Sequence, residues 1–289
     1  MSSGPLRSLR QPGPPNPERV TSHAGEVVEI AFTLEPGLTI NDAIARPMQA
    51  AGIAGGTVEI EGGALGPFAY VMPALSVDAR FAAYYSASFH PTDPVPVERG
   101  NVTFGEKDGL PFIHCHAIWQ ESERGRRCGH VMPHETVVAE PIRARAWGLR
   151  NVAMRVIPDA ETNFALFTPV LLEEAAPVPG GRRGACVKIQ PNRDVSEGLE
   201  EACRRHGFAR AVVRGSIGSL VGADFTDGRH VPSIASELLV LNGLIDAEGG
   251  STLDVAMVDV DGAIHEGRLV HGRNPACITF ELFIEEHRP

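Results

Sequence analysis

The order of predicted elements repeats along this chain of 289 residues, and the repeat limits the folds open to it. A strand at residues 26–34 is followed by a helix toward residue 51, a glycine-rich bend, several strands and a hairpin. From residue 185 a similar order begins again. A repeat of this kind indicates an internal duplication. We therefore predict an α/β fold of the α+β type, built as two tandem copies of a mixed or antiparallel sheet domain flanked by a helix.

Composition divides the chain into four segments. The start of the chain is rich in Pro, and a stretch near its middle is rich in Pro, Gly and charge, as arms and linkers are. The predicted segments are a flexible N-terminal arm at 1–21, a first domain at 22–172, a linker at 173–184 and a second domain at 185–286. In the first domain, Thr39 is expected to cap the helix and Pro47 to kink or shorten it.

Three histidines mark one predicted hairpin of the first domain. His114 and His116 lie two apart in an apolar run that predicts a strand, so both rings share one face and Cys115 points to the other. A hairpin centred on Glu123 places His130 directly opposite His116, with Cβ atoms roughly 4.5–5.5 Å apart. The three imidazoles then converge, unless a bulge shifts the register.

Convergent histidines predict a metal site at His114, His116 and His130. Three histidines with an open fourth position suit catalytic zinc best, and other borderline divalent ions as well. The alternative is that a short H-x-H pattern is structural. The second copy has a hairpin around Asp261-Gly262, and a two-residue loop there places Val255 opposite Arg268. These positions correspond to His116 and His130, so the hairpin does not require histidine.

Several charged residues near this hairpin are candidates for catalysis. Glu135 is the first choice as general base, with His134 and Glu121 as alternatives. The pattern at residues 142–149 alternates, so Arg143 and Arg145 share a face and could bind a substrate carboxylate. The competing interpretations are an exposed turn for Glu135 and a solvated strand face for the two arginines.

Charge and cysteine content exclude some classes of function. A formal net charge of −10 disfavours nucleic-acid binding through phosphates, which depends on clustered Lys and Arg. The 5 cysteines are odd in number and form no C-x-x-C motif, which indicates a reducing compartment. No apolar run reaches the roughly 20 residues of a membrane span, and no apolar signal segment is evident, so we expect a cytoplasmic protein.

The motifs together resemble the PPC domain (plant and prokaryote conserved domain). The resemblance rests on His114, His116 and Gly129-His130 in the first half, and on Gly215-Ser216-Ile217-Gly218 and residues 261–267 in the second. It implies a sheet flanked by a helix and assembly into a homotrimer or other homo-oligomer. Plant relatives carry a DNA-binding AT-hook, but here Arg124-Gly125-Arg126 is followed by Arg127 where the hook needs Pro. A similar three-histidine hairpin holds zinc in an ester-hydrolase family with a related fold.

Two functional hypotheses follow. In the first, the chain is a metal-dependent hydrolase or lyase that acts on a small carbonyl or carboxylate compound at the histidine site. In the second, it is a non-catalytic module that binds a small ligand or takes part in DNA-binding regulation. The acidic net charge weighs against the DNA version of the second hypothesis.

Overall fold

The computed structural model describes residues 6–173 and 180–287. Within these residues the helices are α1 (Ile40–Ala50) and α2 (Val195–His206). The strands of the first half are β1 (Val20–Glu26), β2 (Val28–Leu34), β3 (Gly55–Glu61), β4 (Ala64–Leu65), β5 (Tyr70–Val71), β6 (Pro73–Leu75), β7 (Ala83–Tyr85), β8 (Val95–Lys107), β9 (Leu110–Glu121), β10 (Gly125–Val131), β11 (Val138–Glu140), β12 (Ile142–Leu149), β13 (Val152–Pro158) and β14 (Ala165–Leu171). Those of the second half are β15 (Arg183–Ile189), β16 (Arg210–Leu220), β17 (Ala223–Asp224), β18 (His230–Val231), β19 (Ser236–Asp246), β20 (Thr252–Asp259), β21 (Ile264–Arg268) and β22 (Ala276–Glu286).

The two large sheets repeat one strand order. The first contains the path β2-β12-β3-β8-β9-β10, and the second contains β15-β22-β16-β19-β20-β21. Nearly all neighbouring strands are antiparallel, and one short pairing between β8 and β13 is parallel. The predicted α+β class with mixed or antiparallel sheets is confirmed.

Each sheet packs one face against its own helix and the other face against the opposite sheet. Ile44 and Met48 of α1 pack with the inner residues of the first sheet, and Leu199 and Cys203 of α2 pack with those of the second. A separate apolar cluster joins the two sheets, with Ile118 and Cys128 from the first against Leu239, Ala256 and Val258 from the second. The layers therefore run α1, first sheet, second sheet, α2, and the face between the sheets is buried.

Both helices begin at side-chain caps. Thr39 Oγ1 accepts a hydrogen bond from Asp42 N at 3.1 Å, as predicted. Asp194 caps α2 in the same way, and Gly207 ends it in the left-handed conformation. The expected shortening of α1 at Pro47 is wrong, because the helix continues to Ala50. Burial of Ile44 and Met48 against the sheet supplies the packing that holds the helix across the proline.

The N-terminal segment belongs to the second sheet. β1 pairs with β15 along its whole length, from Val20 opposite Ile189 to Glu26 opposite Arg183. A domain boundary at residue 22 therefore falls inside a strand. Residues 6–19 have no helix or strand but contact the second half, for example through Gln11 Nε2, which donates to Cys277 O at 2.8 Å. Residues 1–5 of the expected arm and 174–179 of the expected linker lie outside the described residues.

Two local expectations for the second half need correction. Its hairpin pairs Val255 with Gly267 and Asp254 with Arg268, one residue away from the predicted register. The loop has three residues instead of two, because the Asp259 carboxylate accepts from Asp261 N and Ala263 N. The glycine bend expected at residues 215–218 is a bulge inside β16, which runs on to Leu220.

The helices and the cysteines relate to the predictions made for membrane spans and disulfides. None of the described helices is both long enough and apolar enough to cross a bilayer. All of the cysteines are buried and none is in a disulfide.

Candidate metal centre

The histidine hairpin forms in the predicted register. β9 and β10 pair around a loop at residues 122–124, with His130 directly opposite His116. Gly125 starts the return strand with a φ of 73°, a conformation that glycine adopts without strain. The hairpin therefore places the rings of His114, His116 and His130 on one face of the first sheet. Their centroids lie 4.7 Å apart for the first two, 4.6 Å for His114 and His130, and 5.5 Å for His116 and His130.

The second sheet covers that face. Asn101 lies beside His116 on β8, and its Nδ2 donates to Ser216 O at 2.9 Å and to Val240 O at 2.7 Å. The bulge in β16 makes this contact close. A Cβ on Gly215, whose φ is 50°, would lie 2.1 Å from Thr57 Oγ1. Glycine at 215 is therefore required by the close approach of the two halves.

Glu237 of the second half completes the cluster. Its Oε2 lies 2.6 Å from His116 Nε2. One possible ligand atom from each of His114, His116, His130 and Glu237 falls within 4.8 Å of the others. The cluster thus draws three ligands from the hairpin and one from β19, and it exists only because the two sheets pack face to face.

Hydrogen bonds fix the tautomers of two rings. His116 Nδ1 donates to Leu238 O at 2.8 Å, and His114 Nδ1 lies 2.9 Å from Glu281 Oε2. With both Nδ1 atoms committed as donors, the Nε2 atoms of the two rings are left to face each other, and they lie 3.0 Å apart. Two imidazole lone pairs at this distance repel unless a proton or a cation lies between them. Partners of this kind on the distal nitrogen also orient histidines that bind metals.

The electrostatic environment differs between the rings. Burial lowers the pKa of His114, but the charge and hydrogen bond of Glu281 together with the charge of Glu237 outweigh burial, and the net pKa is raised. Burial, followed by repulsion from His114 and His116, holds the pKa of His130 well below its usual value. His130 Nδ1 is buried without a hydrogen-bond partner. A buried nitrogen of this kind fits a role as metal ligand, because a bound cation would satisfy it.

The predicted general base does not lie at the cluster. Glu135 is exposed in the turn at residues 133–135 that follows β10. His134 is exposed in the same turn, with its ring 5.7 Å from that of Phe112. Glu121 is buried, but it accepts from Trp119 Nε1 at 2.9 Å on the opposite face of β9. Alternation along the strand explains this, since Glu121 is an odd number of residues from His116.

The two predicted arginines share the face of the histidines but not their neighbourhood. Arg145 lies in the cross-strand row that leads through Glu59 and Asn101 to His116. Three strand spacings separate it from His116, which is about 14 Å. Arg145 Nε donates to Glu29 at 2.5 Å, and Arg143 lies 3.5 Å from Glu61. Both arginines are exposed and paired at the sheet surface, so they do not form a clamp for a substrate at the cluster.

Glu237 and Glu281 were missed because the second copy was expected to lack ligands. A signal was present for Glu281, which stands in an apolar run that predicts a buried strand, whereas Glu237 directly precedes such a run at residues 238–245. Glu237 is 8% exposed and Glu281 is 2% exposed. Acidic residues are almost never buried this deeply without a partner, so carboxylates in such runs indicate a site.

Comparison with known families gives one match, in the second half. Residues 178–288 match the family model of the Plants and Prokaryotes Conserved (PCC) domain. The match falls on the half without the histidines. Its hairpin has Asp254 opposite Arg268 at the positions of His116 and His130, and these two side chains form an ion pair at 2.8 Å. A comparison with curated proteins gave no match.

Solved structures of low similarity include PPC proteins. A plant- and prokaryote-conserved protein of Pyrococcus horikoshii has a TM-score of 0.40 and 16% identity, over 54% of this chain and 97% of that one. A metal-containing protein of Archaeoglobus fulgidus has a TM-score of 0.41 and 16% identity, over 50% and 96%. A candidate DNA-binding protein of Bacteroides thetaiotaomicron has a TM-score of 0.37 and 12% identity, over 50% and 93%. Likenesses of this level say nothing of ligand or activity.

Proposed function

We propose that the chain binds one divalent metal ion between its two halves, and zinc is the first candidate. His114, His116, His130 and Glu237 would hold it. The observation that carries the proposal is the 3.0 Å approach of two Nε2 atoms whose rings both donate through Nδ1. A shared proton could relieve one such contact. The further convergence of His130 and Glu237 on the same point favours a cation, because imidazole and carboxylate together are the donor set of zinc.

The proposed activity is that of a hydrolase or lyase acting on a small carbonyl or carboxylate compound. A divalent ion polarises carbonyl oxygens and acidifies water when it is bound. The protein positions the ligands through Leu238 O on His116 and the Glu281 carboxylate on His114. With Glu237 among the ligands, a substrate oxygen would be the fifth, a coordination that zinc reaches in catalytic sites, and the pocket beside the histidines gives access to it.

We infer that the first half is a diverged copy of the domain matched in the second. The shared strand order and the helix on each outer face support this inference. In this view the duplication kept one metal site. The equivalent place in the second hairpin carries the Asp254–Arg268 ion pair.

A non-catalytic binding module is the second candidate. With Glu237 as the fourth protein ligand, an ion that stays four-coordinate, as structural zinc does, has no position open to a substrate. In that arrangement the ion would fasten the two halves together. Binding of a small chelating compound to the metal-loaded protein separates the candidates, because only an open position admits it.

Elemental analysis tests the proposal. Purified protein is expected to hold about one equivalent of a divalent metal, and His116→Ala or Glu237→Gln should lower this content at least tenfold. His134→Ala is the matched control, because His134 is an exposed histidine three residues beyond the hairpin strand. A folded wild-type protein that takes up no metal, or a His116→Ala variant that takes up as much as the control, would overturn the proposal.

A further inference from the structure

A pocket opens beside the histidine cluster at the junction of the two halves. Its inner end is formed by His114, His116 and Glu237. The other lining residues are largely apolar and come from both halves, and they include Ala83, Leu166, Ala235 and Ile278. The pocket thus joins the proposed metal site to an apolar surface.

Aromatic rings form the outer wall of this pocket. Tyr84 and Phe164 line it, with ring centroids 5.8 Å apart and planes inclined by 26°. Phe81 packs behind Phe164 at 4.8 Å. Tyr84 is 45% exposed, so its ring is accessible to a ligand. Rings arranged in this way can hold a flat apolar group against them.

A buried hydroxyl at the pocket has no partner. Thr279 lies two residues before Glu281 on β22, so it is on the face that carries the Glu281 carboxylate toward His114. Thr279 lines the pocket and is 5% exposed, yet its Oγ1 makes no hydrogen bond. Buried hydroxyls nearly always have a partner, so a ligand atom is expected to supply one here.

The described residues that line the pocket include no Lys or Arg, and the basic side chains among them are His114 and His116. A phosphate ester would need such groups, or several backbone donors, to offset its double charge. A single carboxylate or carbonyl directed at a metal has no such need.

We propose that this pocket binds a small molecule that consists of an aromatic ring and one carboxylate or carbonyl head group. The head group points to the histidine cluster and to Thr279 Oγ1, and the ring lies against Tyr84 and Phe164. The proposal rests on the metal site proposed above. It goes further by assigning the class of ligand and the residues that select it.

A pair of chelators with the same head group tests the assignment. Benzohydroxamate and acetohydroxamate bind metals through the same atoms and differ in the aromatic ring. Titration calorimetry on the zinc-loaded protein should show benzohydroxamate binding at least about tenfold more tightly, the contribution expected from burying part of a ring. Tyr84→Ala and Phe164→Ala should remove most of this preference. Tyr84→Phe, which keeps the ring, should retain it.

The outcomes separate the two proposals. If acetohydroxamate and benzohydroxamate bind equally in every variant, the aromatic assignment is wrong and the metal site stands. If neither binds and the protein holds no metal, the metal site itself fails, and the ligand assignment with it. If zinc binds and neither hydroxamate does, the ion stays closed with its four protein ligands and the ligand assignment is wrong.

Thr279→Val, which preserves volume, should weaken the binding of both compounds about threefold to tenfold. An unchanged affinity contradicts the role of this hydroxyl.

Discussion

His116 Nε2 lies 2.6 Å from Glu237 Oε2, and this contact joins the hairpin of one half to a strand of the other. Each residue is nearly or fully buried. Neither half alone contains the full cluster, so the function proposed for the chain depends on how the two copies pack.

Glu281 should increase the affinity for metal although it contacts the proposed ligand His114 and not the metal itself. Its carboxylate accepts from His114 Nδ1 at 2.9 Å and so orients the ring and makes Nε2 more basic. We expect Glu281→Gln to weaken zinc binding about 10-fold to 100-fold. Competition with a chelating dye measures the change. Glu123→Gln in the exposed hairpin loop is the control, and equal affinities for the two variants would show that Glu281 has no such role.

Metal removal should lower thermal stability, because the ligands come from both halves. An ion present at 100 times its dissociation constant stabilises the native state by about 2.7 kcal/mol. For a chain of this size we expect a melting temperature about 5 °C lower after chelation. Differential scanning calorimetry measures the shift. Glu237→Gln should show a smaller one, and an identical shift in that variant would contradict Glu237 as a ligand.

Asn101 should contribute to the docking of the two halves. Its side chain is fully buried and donates to two backbone carbonyls of the second sheet. Asn101→Ala leaves both carbonyls without this donor, and each such loss costs about 1–3 kcal/mol. Urea unfolding is expected to show at least about 2 kcal/mol of destabilisation. Gln120→Ala, an exposed change on the neighbouring strand β9, should be nearly neutral, and equal stability of both variants would contradict this role.

His206 should make stability depend on pH. Burial, and then the charge on Arg205, lowers the pKa of His206 from 6.5 to about 4. In the unfolded chain the ring takes up a proton near its usual pKa, so stability is lost as the pH falls from 6.5 toward 4. Urea midpoints measured between pH 7 and 4.5 should therefore fall less steeply for His206→Gln than for wild type. Parallel curves would show that His206 does not contribute.

The sequence predicted the local geometry of the site better than it predicted which residues belong to the site. The register of His116 and His130 followed from alternation and from the centre of a short loop, and both are local properties. Alternation also placed Arg143 and Arg145 on one face. It could not show that two strands lie between Arg145 and His116, because strand order is set by contacts distant in sequence.

Glu237 could not be assigned from the sequence because its role arises from packing between the copies. It directly precedes the apolar run that predicts its strand, and nothing in the local pattern indicates which surface of the other half it meets. The prediction of a two-residue loop in the second hairpin was wrong because the Asp259 side chain caps a longer loop. Assembly into a homotrimer or other homo-oligomer stays a prediction.

Anomalous diffraction at the zinc edge tests the central claim most directly. Crystals of protein purified with zinc should show one strong peak in each chain, roughly 2.0–2.2 Å from a nitrogen of each of the three histidines and from a Glu237 oxygen. Data collected below the edge serve as the control and should lose the peak. A peak at other residues, or none at the His114, His116 and His130 cluster in fully folded protein, would contradict the account.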